Sequence, residues 1–251
     1  MRDGQDKITL CGRPGDRYFE RVSLKRRSER ILIDMLDRGV RREGVALDVG
    51  ANIGLTAVTM ARRLKGPVYA FEPHPETFSL LRRTLIANKA DNVSPFNLAL
   101  GREQGSLPFF VDPDSSASHL VMPHTLGADG NVNVDISTVD TFAVPLEAPV
   151  NFIKIDAEGA EEDVLAGARL TIARDEPSAF IEFNLFTLMT VGDKNPRDFL
   201  QMLRCLFRYV YRFSETGAYP IQTDPEAVGF LHDLLINGHT ASDLFCTFDP
   251  L

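Results

Sequence analysis

Residues 45–54 read Val45-Ala46-Leu47-Asp48-Val49-Gly50-Ala51-Asn52-Ile53-Gly54. The apolar run predicts a buried strand, Gly50 a turn, and the periodic segment that follows a helix. A strand that passes through a glycine turn into a helix is the opening unit of an α/β fold, because the helix packs back on the strand's sheet. It also builds a ligand site. Glycine permits a tight bend and lets a ligand approach the backbone closely. The helix turns its unsatisfied N–H groups and the positive end of its dipole toward whatever sits in the bend. Asp48 lies at the strand's carboxyl end, the edge where open parallel sheets bind ligands.

A second strand, Pro67-Val68-Tyr69-Ala70-Phe71, ends in Glu72. An acid about 20 residues past a glycine turn, at the tip of the next strand, is placed to accept two ribose hydroxyls. A carboxylate suits that task because it only accepts and can take two O–H donors at once. The competing reading makes Glu72 a cap for the helix that follows. The glycines do not follow G-x-G-x-x-G, which from Gly50 would need glycine at 52 and 55, where the chain has Asn52 and Leu55. That weakens an NAD-type Rossmann oxidoreductase, the rival enzyme reading. Asp48, Gly50 and Gly54 together resemble motif I of class I S-adenosylmethionine-dependent methyltransferases, whose loop packs on the methionine part of the ligand and needs no third glycine.

Further along, helical spacing appears in residues 23–38 (Leu24, Ile31, Leu32, Met35 and Leu36), with Gly39 as the stop. Helices are expected over 53–64, from Pro75 to about Asn88, over 159–168, and from Asn195 with Pro196 in its first turn. Strands are expected at 45–49, 67–71, 93–98, 150–155 and 178–183, with short ones at 106–111 and 132–136. Late strands fall near 208–213 and 243–248, joined by a loop-rich stretch and read as a final antiparallel hairpin. Alternating strands and helices with continuously apolar strands imply a mostly parallel sheet covered on both faces. Residues 1–42 are read as an N-terminal helical extension or cap and 43–251 as the catalytic domain. Residues 112–131, opening with Asp112-Pro113-Asp114-Ser115-Ser116-Ala117-Ser118-His119, form a polar, turn-rich segment expected to act as a lid.

Composition narrows the function. The net charge is −8, which argues against a nucleic-acid partner, since that needs a basic face. Lys25-Arg26-Arg27 reads as the solvated side of a helix. Three scattered cysteines without a CxxC argue against a structural zinc site and fit a reducing compartment. The first residues contain no apolar signal core, and no apolar run reaches the ~18 residues of a membrane span, so a cytoplasmic protein with no membrane partner is expected. A homo-oligomer is left open.

The third motif is Phe152-Ile153-Lys154-Ile155-Asp156-Ala157-Glu158-Gly159-Ala160-Glu161. Its strand delivers Asp156 and Glu158 to the same edge as Asp48 and Glu72. Neighbouring carboxylates repel, so such a pair either raises a pKa, as a general base requires, or shares a cation. A divalent metal is compatible with this cluster but no metal ligands are predicted. Glu161 and Glu162 read as acids favoured by a helix N-terminus.

The segments 47–54, Phe71-Glu72-Pro73-His74-Pro75-Glu76-Thr77-Phe78 and 153–161, together with Val139-Asp140-Thr141-Phe142, resemble the FkbM family of methyltransferases over about residues 45–185. That resemblance implies a Rossmann-like fold with a seven-stranded, mostly parallel sheet and one antiparallel strand. It implies S-adenosyl-L-methionine as cofactor, held by Asp48, Gly50, Asn52, Gly54, Glu72, Pro73, Ala99, Leu100 and Asp156. It also implies O-methylation of a hydroxyl on a small molecule, sugar or secondary metabolite. Candidate bases are Asp156, Glu158 and His119, while Glu182, ending a strand at the same edge, is placed to touch the acceptor. His74 reads as a helix-start residue. A non-catalytic binding module of the same fold would be expected to have lost these donor-site residues.

Overall fold

In a computed structural model, residues 7–22, 26–41, 43–112, 118–121, 132–143, 146, 148–214, 217–238 and 240–251 are described. The chain opens with helices α1 (Arg17–Arg21) and α2 (Arg26–Arg38), then runs β1 (Val45–Val49), α3 (Leu55–Arg63), β2 (Val68–Phe71), α4 (Pro75–Asn88) and β3 (Val93–Phe96). Short strands follow: β4 (Ala99–Leu100), β5 (Gly105–Phe110), β6 (His119–Leu120) and β7 (Val132–Ser137). Next come α5 (Val139–Ala143), β8 (Val150–Ile155), α6 (Glu161–Ala166), α7 (Arg169–Asp175), β9 (Ser178–Asn184), α8 (Leu185–Thr190) and α9 (Pro196–Leu206). The last elements are β10 (Tyr209–Ser214), β11 (Gly217–Pro220), α10 (Asp224–Ile236) and β12 (Ala241–Thr247).

The main sheet has the order β11-β10-β12-β9-β8-β1-β2-β3. β1 pairs in parallel with β2 and β8, and β9 continues the parallel run beside β8. β12 is reversed between β9 and β10. The seven strands from β10 to β3 thus make the expected sheet with one reversed strand. An eighth, β11, adds an antiparallel edge. β1 is the point at which the order turns: the chain steps one way through β2 to β3, then returns to the other side of β1 as β8. Ligand crevices form at such switch points, beyond the carboxyl ends of the strands. A second sheet, β4-β7-β5-β6, stands beside that edge.

Period-two alternation sorts the strands between two cores. Val45, Leu47, Val49, Ile153, Ile155, Ile181 and Phe183 pack with the helices α6 to α10. Ala46, Phe152, Phe180 and Phe245 pack with Leu32 of α2, Ala57 of α3 and Leu81 of α4. Asp48, Lys154, Glu182 and Asp243 share the alternation of this second set, so they lie on the α2–α4 face at its carboxyl edge.

Three expectations need correction. The loop-rich stretch between the last strands contains β11 and the thirteen-residue helix α10, so β10 and β12 are sheet neighbours but not a tight hairpin. Val228, Leu235 and Ile236 are exposed on that helix, which blurs its apolar stripe. The helix expected at 159–168 is the shorter α6, and a second helix, α7, follows beyond that span where none was expected. The chain breaks at Gly167, where a side chain's first carbon would stand 2.1 Å from the Gly101 carbonyl oxygen. Of the expected lid at 112–131, Asp112 and Ser118–Val121 are described. His119 there belongs to strand β6, paired with Phe110, and the rest of the lid lies outside the described residues.

α10 begins with a capping box, in which the Thr223 hydroxyl accepts from the Glu226 N–H and the Glu226 carboxylate accepts from the Thr223 N–H. Thr223→Ala should lower unfolding stability by about 1 kcal/mol, the usual worth of an N-cap. Urea denaturation checks it. An unchanged midpoint would mean that α10 contributes nothing to the fold through its cap.

Candidate active site

Asp48 and Lys154 are register partners on the neighbouring strands β1 and β8. Both are buried, at 0% and 5% exposure. The Lys154 ammonium lies 3.5 Å from Asp48 Oδ1 and 3.5 Å from Asp156 Oδ2, and donates to the Gly50 carbonyl oxygen at 2.9 Å. Burial alone would lower the lysine's pKa, but Asp156 and Asp48 outweigh it and keep the ammonium charged. Burial pushes the Asp48 carboxyl up, against Lys154 and the Thr56 hydroxyl, which donates to Asp48 Oδ2 at 2.7 Å. The buried ion pair therefore sits beneath the glycine turn and holds it to β8.

The turn is shaped by three left-handed residues, Gly50 (φ 75°), Asn52 (φ 47°) and Gly54 (φ 95°). At Gly50 a side chain's first carbon would fall 1.8 Å from the Asp156 carbonyl oxygen. The glycine is required because two backbones meet there. Asparagine is among the few other residues that tolerate this conformation, and the Asn52 side-chain oxygen accepts from the Ile53 N–H at 2.8 Å.

Glu72 closes the next part of the site. Its Oε2 accepts from the Asn52 N–H at 3.0 Å and its Oε1 from the His74 N–H at 2.9 Å. Each oxygen keeps a second lone pair, so the carboxylate is fixed by the backbone and still able to accept two more donors. Burial pushes this carboxyl up to about 7, although the His74 and Asn52 N–H groups and Lys154 pull it down. The bond to His74, which is the N-cap of α4, also satisfies the helix-capping alternative. His74 itself bonds Thr77 through Nδ1 at 2.9 Å and stacks on Phe109.

Glu72 opens on a cleft between the two sheets, walled on its apolar side by Phe71, Leu98, Leu100 and Phe109. Gly50, Asn52, Pro73, Ala99, Leu100, Asp156, Glu158 and His119, all expected at the site, line this cleft together with Glu72. Asp48 and Gly54 do not. Asp48 is sealed under the turn by Lys154 and Thr56, and Gly54 faces Leu81 and Thr84 of α4, so both shape the turn.

The loop after β8 is held from inside. Glu161, almost fully buried, accepts from the N–H groups of Ala157 and Gly159. Burial pushes its carboxyl up to about 7. It is thus more than an acid at a helix N-terminus: it locks the loop that presents Asp156 and Glu158. Asp156, Glu158 and Glu182 each bring an oxygen to within 4.8 Å of the others, a set able to hold a divalent cation.

Lys154, Tyr18 and Thr56 were not foreseen at the site. Lys154 lies inside the third motif, and a lone cation in an apolar strand two residues before Asp156 was the available signal. Tyr18 comes from α1, where Asp16 accepts from the Tyr18 and Phe19 N–H groups as N-cap. Tyr18, Thr56, Lys154 and Asp156 also line a second cavity, on the α2 side of the cleft, with Glu29, Phe180, Glu182 and Asp243.

The model of the methyltransferase FkbM domain matches residues 48–213. The chain belongs to this FkbM methyltransferase family. Methyltransferase 1 of Beauveria bassiana is 31% identical over 141 residues, covering 48% of this chain and 57% of that protein. The hexuronic acid methyltransferase AglP of Haloferax volcanii is 31% identical over 143 residues, covering 56% of each. The 2-O-methyltransferase NoeI of Sinorhizobium fredii is 26% identical over 147 residues, covering 52% of this chain and 59% of that one. The chain therefore spans under two thirds of these relatives' lengths. The FkbM methyltransferase structure from Methylobacillus flagellatus KT shares the fold at a TM-score of 0.51 and 14% identity, covering 92% of this chain and 60% of that chain. Among the described residues no helix is long and apolar enough to cross a membrane.

In this FkbM chain the Lys154 knot is testable on its own. Lys154→Met leaves Asp48 and Asp156 without their cation and should cost about 3–5 kcal/mol. Adding Asp48→Asn should restore part of that loss, and the coupling appears in a double-mutant cycle of denaturation midpoints. Strictly additive losses would mean that the pair is not an energetic unit.

Proposed function

We propose that the chain uses S-adenosylmethionine to methylate a hydroxyl oxygen of a small acceptor, a sugar or a secondary metabolite. The observation that carries this reading is Glu72, whose carboxylate is held by two backbone N–H groups at the tip of β2 and opens on a cleft flanked by Leu98, Leu100 and Phe109. A vicinal diol beside a flat apolar ring matches that pairing. The donor site thus fits an adenosine, which Glu72, Pro73, Ala99 and the Gly50–Asn52 turn, all lining this cleft, would hold. Names among the relatives, a hexuronic acid methyltransferase and a 2-O-methyltransferase, support oxygen as the acceptor atom. An NAD-type oxidoreductase is less well supported, because the turn keeps a side chain at Asn52 where a dinucleotide pyrophosphate needs bare backbone.

When bound, S-adenosylmethionine supplies a methyl group already activated by its sulfonium. The protein's task is therefore to hold the acceptor oxygen in line and within ~3–3.5 Å of that methyl, and to receive a proton. Asp156 is best placed to receive it, because it lines both the donor cleft and the second cavity. Lys154 keeps the Asp156 carboxylate oriented through its 3.5 Å contact with Oδ2. Glu158 and His119 line the donor cleft alone of the two cavities. The segment 1–42 acts in this reading as a cap, through Tyr18.

Two outcomes are expected. Ribose hydroxyls donate to the ionised form of Glu72, so protons compete with the donor. Affinity for S-adenosylmethionine should weaken as pH falls through about 7, the pKa burial gives this carboxyl, and level off above about pH 8. Glu72→Gln should flatten that profile and bind tenfold or more weakly at high pH, since hydrogen bonds to a charged group are worth ~1.5–3 kcal/mol. Calorimetry across pH reads both, and binding of NADH in place of S-adenosylmethionine would overturn the donor assignment. Asp156→Asn should preserve the fold and donor affinity but lower turnover by ~10²–10⁴, as loss of a general base does. The acceptor for that assay comes from a screen for products labelled by S-adenosylmethionine. Full activity of Asp156→Asn would remove it as the base and leave Glu158 or His119.

A further inference from the structure

Four residues line both the donor cleft and the second cavity: Tyr18, Thr56, Lys154 and Asp156. The Thr56 hydroxyl and the Lys154 ammonium belong to the knot beneath the turn, and Asp156 receives the proton. Tyr18 does neither. Among the described residues that line the donor cleft, it is the one that precedes β1. The chain takes care to bring it there. Thr9 and Asn88 exchange hydrogen bonds at 3.0 and 2.7 Å, the Cys11 N–H donates to Thr84 Oγ1 at 3.0 Å, and Arg13 pairs with Glu76 at 2.6 Å. These contacts follow α4 from its last turn back to its first, the end next to Glu72. Buried Asp16 then starts α1 by accepting from the Tyr18 N–H at 2.8 Å and the Phe19 N–H at 3.1 Å. Burial and the Asp156 carboxylate, against the charge of Lys154, push the Tyr18 phenol well above its usual range. It therefore stays neutral at working pH and takes no proton from an acceptor.

What a neutral phenol offers is its ring. The face of an aromatic ring attracts a cation, more strongly where water is excluded. S-adenosylmethionine carries a permanent positive charge on sulfur. In the transfer the acceptor oxygen bonds to the methyl carbon, the carbon–sulfur bond breaks with its electron pair left on sulfur, and the hydroxyl proton passes to Asp156. With Asp156 as base, the methyl group has to lie at the wall that Asp156 shares with Tyr18. We propose that Tyr18 contacts the sulfonium of the donor with its ring and thereby aims the methyl group at the acceptor side of that wall. This rests on the S-adenosylmethionine reading above. It gives the N-terminal segment a selective task. The sulfur is neutral after transfer, so the ring's attraction is lost and Tyr18 favours the methyl donor over the product, S-adenosylhomocysteine.

The test needs no acceptor. S-adenosylmethionine and S-adenosylhomocysteine are titrated by calorimetry into the full chain at about pH 8, where Glu72 is ionised. Tyr18→Leu removes the ring and should weaken S-adenosylmethionine about fivefold or more while changing S-adenosylhomocysteine by less than about twofold. Tyr18→Phe keeps the ring and should bind both within about twofold of the unaltered chain. A packing defect in α1 would weaken the two ligands alike, so the ratio of affinities separates contact with the sulfonium from a structural role. A second measurement reads the contact without relying on affinity. S-adenosylmethionine isotope-labelled in its methyl group should show an upfield ring-current shift of that methyl resonance when bound, kept in Tyr18→Phe and reduced in Tyr18→Leu. An unchanged affinity ratio in Tyr18→Leu, a ratio altered as much in Tyr18→Phe, or a bound methyl resonance that Tyr18→Leu leaves in place would overturn the inference and leave the donor reading standing. If the unaltered chain binds neither ligand, the donor reading falls and the contact with it.

Discussion

The structure of this site depends on one buried ammonium. Taking a lysine out of water costs several kcal/mol, which only close, well-placed partners offset. Lys154 has them because the β1–β8 register sets it opposite Asp48 and because the turn after β1 aims the Gly50 carbonyl at it. From that point the site is built by successive contacts. Lys154 holds the Gly50 carbonyl, and the bare α-carbon of Gly50 lets the turn rest on the Asp156 backbone. The turn then points the Asn52 N–H at Glu72. Each contact uses backbone groups that would otherwise be orphaned at strand ends. The same knot therefore stabilises the sheet edge and aims the groups facing the cleft.

Much of this was legible in the chain because the central strands are unambiguous. β1, β8 and α4 have the expected positions, since apolar runs bounded by glycine, acid or proline leave few alternatives. The acids at strand ends were legible for the same reason: a strand's end is a place in the sheet. What could not be read was the direction each motif residue faces. Asp48 and Glu72 are both strand-end acids, yet one is sealed against α3 and the other opens on the cleft. That difference arises from the Asp48–Lys154 pairing, which exists only once β8 returns beside β1. What Gly54 faces was not legible either, because its left-handed conformation looks the same in sequence whether it clears a ligand or Leu81.

Other gaps have other causes. α10 was hidden by Gly229 and by apolar residues on its exposed side, although Thr223 and Glu226 spell out its cap. Tyr18 lies in a stretch with little periodicity, where a five-residue helix leaves almost no pattern. The end of α6 falls where Gly167 approaches Gly101, two residues far apart in the chain. These are tertiary facts, and local propensity carries no trace of them.

The boundaries of the family match give the site its sharpest division. Nearly every residue of the donor cleft, from Gly50 to Glu158, lies within residues 48–213. The second cavity is different, because Tyr18, Glu29, Leu32 and Asp243 all lie outside that span. The sheet forces this arrangement. The groups that face the cleft come from the ends of β1, β2 and β8, whose order the fold itself requires. The neighbouring space is roofed by α1 and α2 and floored by β12, which enter from the two ends of the chain. A methyl donor common to a family demands a constant cleft, whereas acceptors differ in size and charge. Walls supplied by the chain's ends can change without disturbing the Lys154 knot, since none of Glu29, Leu32 or Asp243 touches it through a hydrogen bond or ion pair among the contacts Lys154 makes. Tyr18 is the exception. It lines both spaces, so a change at this one residue of the N-terminal segment would reshape both at once.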